Sequence, residues 1–156
     1  MEQLVRELRI KIDTLINSVK LLNSSREVSL CHTDLQRGKH WLGLVLKELG
    51  TKTPYPGSSD PKIEIIEPQA EHTTSTIKLR AAIEDVMADY QPIIEAGKEH
   101  EGLANNESDM WLEYLSLSHT AMIESKLWLG WELNRIHELQ NPSPNYNAGS
   151  MAMPLI

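Results

Sequence analysis

The 156-residue sequence has no phenylalanine and a single cysteine, Cys31, and its only aromatic residues are four tryptophans and four tyrosines. One cysteine excludes a disulfide framework and a zinc site built on cysteines. No apolar run approaches the ~18 residues of a membrane span, and the charged opening residues do not read as a secretory leader. The expectation is a soluble, cytoplasmic chain with no membrane partner. Glycine-rich phosphate loops are lacking, and no serine sits in a strand–turn–helix elbow, so the usual signatures of nucleotide hydrolysis and nucleophilic catalysis are missing. Positive charge is also scarce. The formal net charge is −7, and residues 51–156 hold seven Lys/Arg against sixteen Asp/Glu, a balance of 7 − 16 = −9. An acidic chain is poorly suited to tracking DNA or RNA polymers, where many phosphate contacts supply the affinity.

What is present is helical periodicity. Over residues 2–22, Leu4, Leu8, Ile12, Leu15, Val19 and Leu22 recur at steps of three and four, the stripe of an amphipathic helix. Asn23-Ser24-Ser25 breaks it, and Ser24 with Glu27 fits a capping box. The next helix carries Cys31, Leu35, Gly38, Leu42, Val45 and Leu49 on its apolar seam and stops at Gly50. Residues 51–75 contain Pro54, Pro56, Pro61 and Pro68, which forbid a regular helix and leave room for one short strand at 62–66. Thr73, Thr74 or Ser75 can cap a third helix with Leu79, Ile83, Val86 and Tyr90 on one face, which Pro92 should kink or end. A fourth helix is expected from about Ser108 to Leu139. The predicted fold is all-α: two tandem helical hairpins, residues 1–50 and 76–140, joined by a Pro-rich linker at 51–75 and followed by a flexible tail at 141–156.

The hairpins read as copies of one another. A shift of 87 residues lays Val28–Leu46 on Leu115–Leu133 with nine of nineteen positions identical: Ser29/Ser116, Leu30/Leu117, His32/His119, Thr33/Thr120, Lys39/Lys126, Trp41/Trp128, Leu42/Leu129, Gly43/Gly130 and Leu46/Leu133. The preceding helices align at a shift of 71, through Leu8/Leu79, Arg9/Arg80, Ile12/Ile83 and Asp13/Glu84. Repetition of a two-helix unit signals duplication. A hairpin of ~50 residues has too little core to stand alone, so the copies should pack together into four helices. The shared leucines, tryptophans and glycines read as packing residues, Gly43 and Gly130 admitting a close neighbouring helix. The shared His-Thr pair and lysine fit either a polar network or an anion site.

Candidate chemistry is thin. Glu64, Glu67 and Glu71 fall in the Pro-bounded linker, and Glu84, Asp85 and Asp89 lack a facing acidic partner, unlike the paired carboxylates of all-helical nucleotide pyrophosphatases. His32, Gln36 and His40 share a helical face but have no third strong zinc ligand. The remaining donors, Arg26, His32, Thr33, Gln36, Arg37, Lys39 and His40, cluster at and after a helix N-terminus, where backbone N–H groups favour anions, and read either as an anion site or as a solvated helix face. His119, Thr120 and Lys126 are the second copy's counterparts of His32, Thr33 and Lys39. No metal or cofactor and no enzymatic activity are expected.

The stretch Leu30, Thr33, Leu35, Gln36, Gly38 and Leu42 resembles the second helix of phage anti-defence sponge proteins, the helical-hairpin family that counters the CBASS and Thoeris bacterial immune systems. The second copy keeps Leu117, Thr120 and Leu129 of that pattern. The resemblance implies sequestration without cleavage of a cyclic oligonucleotide or a cyclic ADP-ribose-type signal in the cytoplasm of an infected bacterial host. It also implies a symmetric homo-oligomer with ligand held between protomers, here a trimer of duplicated chains imitating a hexamer. Arg26, Arg37 and Lys39 would then pair with phosphates, Thr33 and Gln36 would hydrogen-bond the ligand, Trp41 or Tyr55 would stack on a base, and the linker around Tyr55 would serve as a lid. Positive groups should converge on a hollow beside Thr33. The alternative is a structural helical adaptor that joins another protein through its apolar seams.

Overall fold

The structure, a computed structural model, describes residues 1–50, 71–99 and 110–141. They are all helical, with no strand among them: α1 (Glu2–Lys20), α2 (Arg26–Glu48), α3 (His72–Met87), α4 (Tyr90–Glu99) and α5 (Met110–Gln140). The short strand expected at 62–66, the linker residue Tyr55 and the tail beyond Asn141 lie outside the described residues. The four main helices form a closed ring in which α1 packs on α2, α2 on α5, α5 on α3 and α3 on α1, with α4 against α1 and α5.

The helix ends refine the sequence reading. Ser25, not Ser24, caps α2, its hydroxyl accepting from Val28 N. Gly50 takes the left-handed conformation (φ 83°) just after the α2 cap, where a side chain would be strained. Helix α3 starts at His72, inside the stretch assigned to the linker, after an N-cap Glu71 that makes no side-chain cap bond, so none of Thr73, Thr74 and Ser75 caps it. Pro92 does not end that helix. The chain breaks at Ala88-Asp89, and Pro92 falls in the first turn of the new helix α4, where its missing N–H leaves no intrahelical bond unmade.

The core contains most of the expected seams: Leu8, Ile12, Leu35, Leu42, Ile83, Leu115, Met122 and Leu129 are all nearly or fully buried. On α1 the buried face begins at Val5 rather than Leu4, which stays exposed. Gly38 is the close-approach glycine, since a Cβ there would run into Met122 Cε. Gly43 plays a different part from the one expected. A Cβ there would sit 3.4 Å from Arg9 Nη1, so the gap at Gly43 accommodates the buried Arg9 side chain rather than a helix backbone.

The duplication is written into the packing. Trp41, late in α2, stacks on Tyr114, early in α5, with ring centroids 5.8 Å apart. Trp128, late in α5, lies under Arg26, early in α2, with the guanidinium carbon 5.7 Å from the ring centroid. The two long helices are thus antiparallel and related by a pseudo-twofold axis. The repeat-equivalent pair Arg37 and Glu124 meets across that axis at 3.4 Å. Each hairpin also carries the same internal ion pair: Lys39–Asp13 at 2.6 Å in the first, Lys126–Glu84 at 2.9 Å in the second.

One asymmetry is buried. Glu132 replaces the Val45 of the first copy and is fully enclosed. It accepts from Ser25 Oγ at 2.6 Å and from Arg135 Nε at 2.7 Å, while His72 Nε2 lies 3.6 Å away. His72 Nδ1 accepts from Asn23 N at 3.1 Å, and the carboxylate ties α5 to the cap of α2 with the start of α3 packed beside it. A buried charge that loses its partner is costly, whereas an apolar replacement of the pair is tolerated better. Arg135→Ala should therefore destabilise the fold by about 2–3 kcal/mol. Glu132→Val combined with Arg135→Ala should recover part of that loss, as read by urea denaturation of both variants.

Candidate functional site

The nine residues singled out from sequence fall into three groups. Arg26, Thr33, Gln36, Arg37 and His40 are all exposed. They recur along α2 on the side opposite Cys31, Leu35 and Leu42, because the apolar seam is turned toward α1 and α5. This outer face is polar and ordered in parts. Thr33 Oγ1 donates to the Ser29 carbonyl at 3.1 Å, and the His40 ring stands edge-on to Trp41 at 5.6 Å. Arg37 Nη1 is held by Asp34 at 3.0 Å and by Glu124 at 3.4 Å. Asp34 is itself buried and accepts from Trp128 Nε1 at 2.9 Å, so the guanidinium is anchored by a carboxylate that is itself fixed.

Lys39 and Lys126 belong to the second group. Both are spent on the hairpin ion pairs with Asp13 and Glu84, which accounts for their retention in both copies without a ligand. The Lys126 contact holds the Glu84 carboxyl below its ordinary range, by hydrogen bond and charge together. The expectation that positive groups converge on a hollow beside Thr33 is therefore not met within one chain. Thr33 faces open solvent on α2, and Lys39 points to α1.

His119 and Thr120 form the third group, and they do line a hollow. A cleft of about 270 Å³ opens where α3, α4 and α5 meet, walled by Met87, Ala88, Tyr90, Gln91, Ile94, Leu115, Ser116, His119 and Thr120. The His119 ring lies 5.0 Å from that of Tyr90, tilted by 52°. The phenol oxygen of Tyr90 points inward to Ser118 Oγ at 2.6 Å, and burial pushes its ionisation up. Sequence reasoning missed Tyr90, Gln91, Ile94 and Ser116 as wall residues. One signal was available: Ser116 is identical to Ser29, within the same retained run as the His-Thr pair.

In the first copy the equivalent histidine, His32, packs beside Lys20. Its Nε2 is shut off from solvent with no hydrogen-bond partner among the described residues. Among the described residues no group of three His, Cys, Asp or Glu side chains is placed to hold a metal ion, and no helix is long and apolar enough to cross a membrane. Cys31 is buried, and desolvation, with Asp34 nearby, pushes its thiol ionisation well up, which keeps it protonated and unreactive. Comparison with family models, with curated proteins and with solved structures finds no match to this chain.

Burial, reinforced by Lys20, lowers the His32 pKa from its ordinary 6.5. Between 6.5 and that lower value the unfolded chain binds more protons than the folded one, so stability must fall as pH drops through the interval. The midpoint of thermal unfolding should fall between pH 7.5 and 5.5, and His32→Gln should reduce that fall. An unchanged pH dependence in the variant would remove His32 as its source.

Proposed function

We propose that this chain is a non-catalytic sequestering protein that traps a cyclic oligonucleotide or cyclic ADP-ribose-type immune signal on the outer face of α2, with a second copy of the chain closing the site. One observation carries the reading: Arg26, Thr33, Gln36, Arg37 and His40 all fall on one open side of α2, so five polar groups suited to phosphate and base edges are presented together. Arg37 is fixed on this face through Nη1 by Asp34 and Glu124, which lowers the entropy lost on pairing, while an anion must compete with those two carboxylates for the guanidinium. Two copies that apposed these faces would supply four arginines to a ligand carrying several phosphates. The ligand class rests on the resemblance of the Leu30–Leu42 stretch to the anti-defence sponges, and the trimer imitating a hexamer belongs to the same proposal.

A second reading, a helical adaptor without a small ligand, is favoured by a different observation. The outer side of α5 exposes Leu117 and Ile123 among polar residues, two large apolar side chains where the α2 face carries the half-buried Leu30 and Gln36.

The two readings separate in calorimetric titration of the purified chain with cyclic dinucleotides, cyclic trinucleotides and cyclic ADP-ribose isomers, followed by recovery of the ligand after denaturation. Sequestration requires saturable binding with the ligand recovered intact. Arg26→Ala and Arg37→Ala should each weaken it by about tenfold or more, the worth of a charge-assisted hydrogen bond. Binding should also weaken with added salt. Heat-silent titrations together with unchanged thermal unfolding leave the adaptor; converted nucleotide means catalysis.

A further inference from the structure

The two copies differ most where the alignment shift changes from 71 to 87, that is, by 87 − 71 = 16 residues. In the first copy α1 ends at Lys20 and α2 begins at Arg26, a tight turn. In the second copy α4 occupies the extra length. Helix α4 supplies Tyr90, Gln91 and Ile94 to the cleft described above, while Ser116, His119 and Thr120 come from the retained run. Tyr90 and Gln91 are the counterparts of Val19 and Lys20 at the shift of 71, so Ile94 alone is added. The turn at Ala88-Asp89 and the continuation of the chain to Ile94 therefore set a polar run that lies along α2 in the first copy beside a half-open cleft in the second.

The chemistry of that wall is specific. It contains no lysine, arginine, aspartate or glutamate, so it offers no charge to a phosphate or an ammonium group. Its apolar part is Met87, Ile94 and Leu115 with the Tyr90 ring, whose hydroxyl is turned away into the protein by its bond to Ser118. The polar part is one amide, two hydroxyls and one imidazole, which together present both donors and acceptors. Aromatic and aliphatic walls with a few convergent neutral donors and acceptors describe a pocket for a flat, uncharged, hydrogen-bonding ring.

We propose that the cleft between α4 and α5 is a second binding site, separate from the α2 face, that takes a neutral planar heteroaromatic ring of the nucleobase class. The ring lies against His119 and Ile94, with Gln91, Ser116 and Thr120 reading its edge. A free nucleoside and the base of a larger nucleotide present the same chemistry. The site does not depend on the sequestration reading, because none of its wall residues belongs to α2.

Saturation-transfer NMR of the full chain with adenosine, guanosine, cytidine and uridine tests this directly, with a cyclic dinucleotide as a parallel arm. At least one nucleoside should show transfer and a saturable affinity that is insensitive to salt. Thr120→Val, at an exposed position that leaves the core intact, should weaken that affinity about fivefold to tenfold, the worth of one hydrogen bond; Ile94→Trp, which fills the hollow, should abolish it. Arg26→Ala with Arg37→Ala should leave nucleoside binding unchanged while weakening any cyclic dinucleotide held on α2. Binding of the dinucleotide but of no nucleoside would refute the cleft and leave the α2 site standing. Nucleoside binding that survives both cleft variants would refute it as well.

Discussion

The bundle depends on one close approach, where α2 and α5 come together at Gly38. The absent side chain lets Met122 and the α5 backbone lie against α2, and the carbonyl of Gly38 accepts from Ser118 Oγ at 2.8 Å. Because that serine proton is committed to the carbonyl, the Tyr90 hydroxyl must be the donor in its own 2.6 Å bond to Ser118. A short relay of buried hydrogen bonds thus runs from α4 through α5 into α2. In a dry interior such a relay is costly to leave incomplete, so it fixes both the register of the long helices and the placement of α4.

Around this contact the pseudo-twofold arrangement follows from the repeat. The ion pairs Lys39–Asp13 and Lys126–Glu84 are the same bond made twice, and each tryptophan of the shared run packs on the opening turn of the opposite long helix. Divergence is concentrated away from the axis. Glu132 stands where Val45 does in the first copy, and it recruits Ser25, Arg135 and the neighbourhood of His72. The second copy's longer connection adds α4 and with it a cleft.

Much of the fold was legible because helical periodicity and the repeat are both local, countable signals. Leu8, Ile12, Leu35, Leu42 and Ile83 were placed on the correct faces by spacing, and Leu129 by its alignment with Leu42. Helix ends were less legible: Ser24 and Ser25 are chemically equivalent as caps, and only the path of the chain decides between them. Pro92 misled because a proline inside a helical pattern is also compatible with the first turn of a new helix. The candidate site was the least legible part. Charge says nothing about engagement, and Lys39 and Lys126 proved to be held by Asp13 and Glu84, whose positions along a different helix were visible only through the fainter 71-residue alignment. The cleft at His119 was hidden for the opposite reason. Ser116, His119 and Thr120 stand in the retained run, but the facing wall, Tyr90, Gln91 and Ile94, carries no motif and is brought to them only by the turn at Ala88-Asp89.

Carrying both hairpins on one polypeptide has a consequence for how the molecule behaves when scarce. A bundle assembled from two separate hairpins falls apart below its dissociation constant, whereas covalent linkage makes the pairing intramolecular and sets a fixed local concentration for it. The joint between α2 and α5 is therefore immune to dilution. Each half is also released from the requirement to complement an identical twin, so a change such as valine to glutamate at one position occurs once rather than twice.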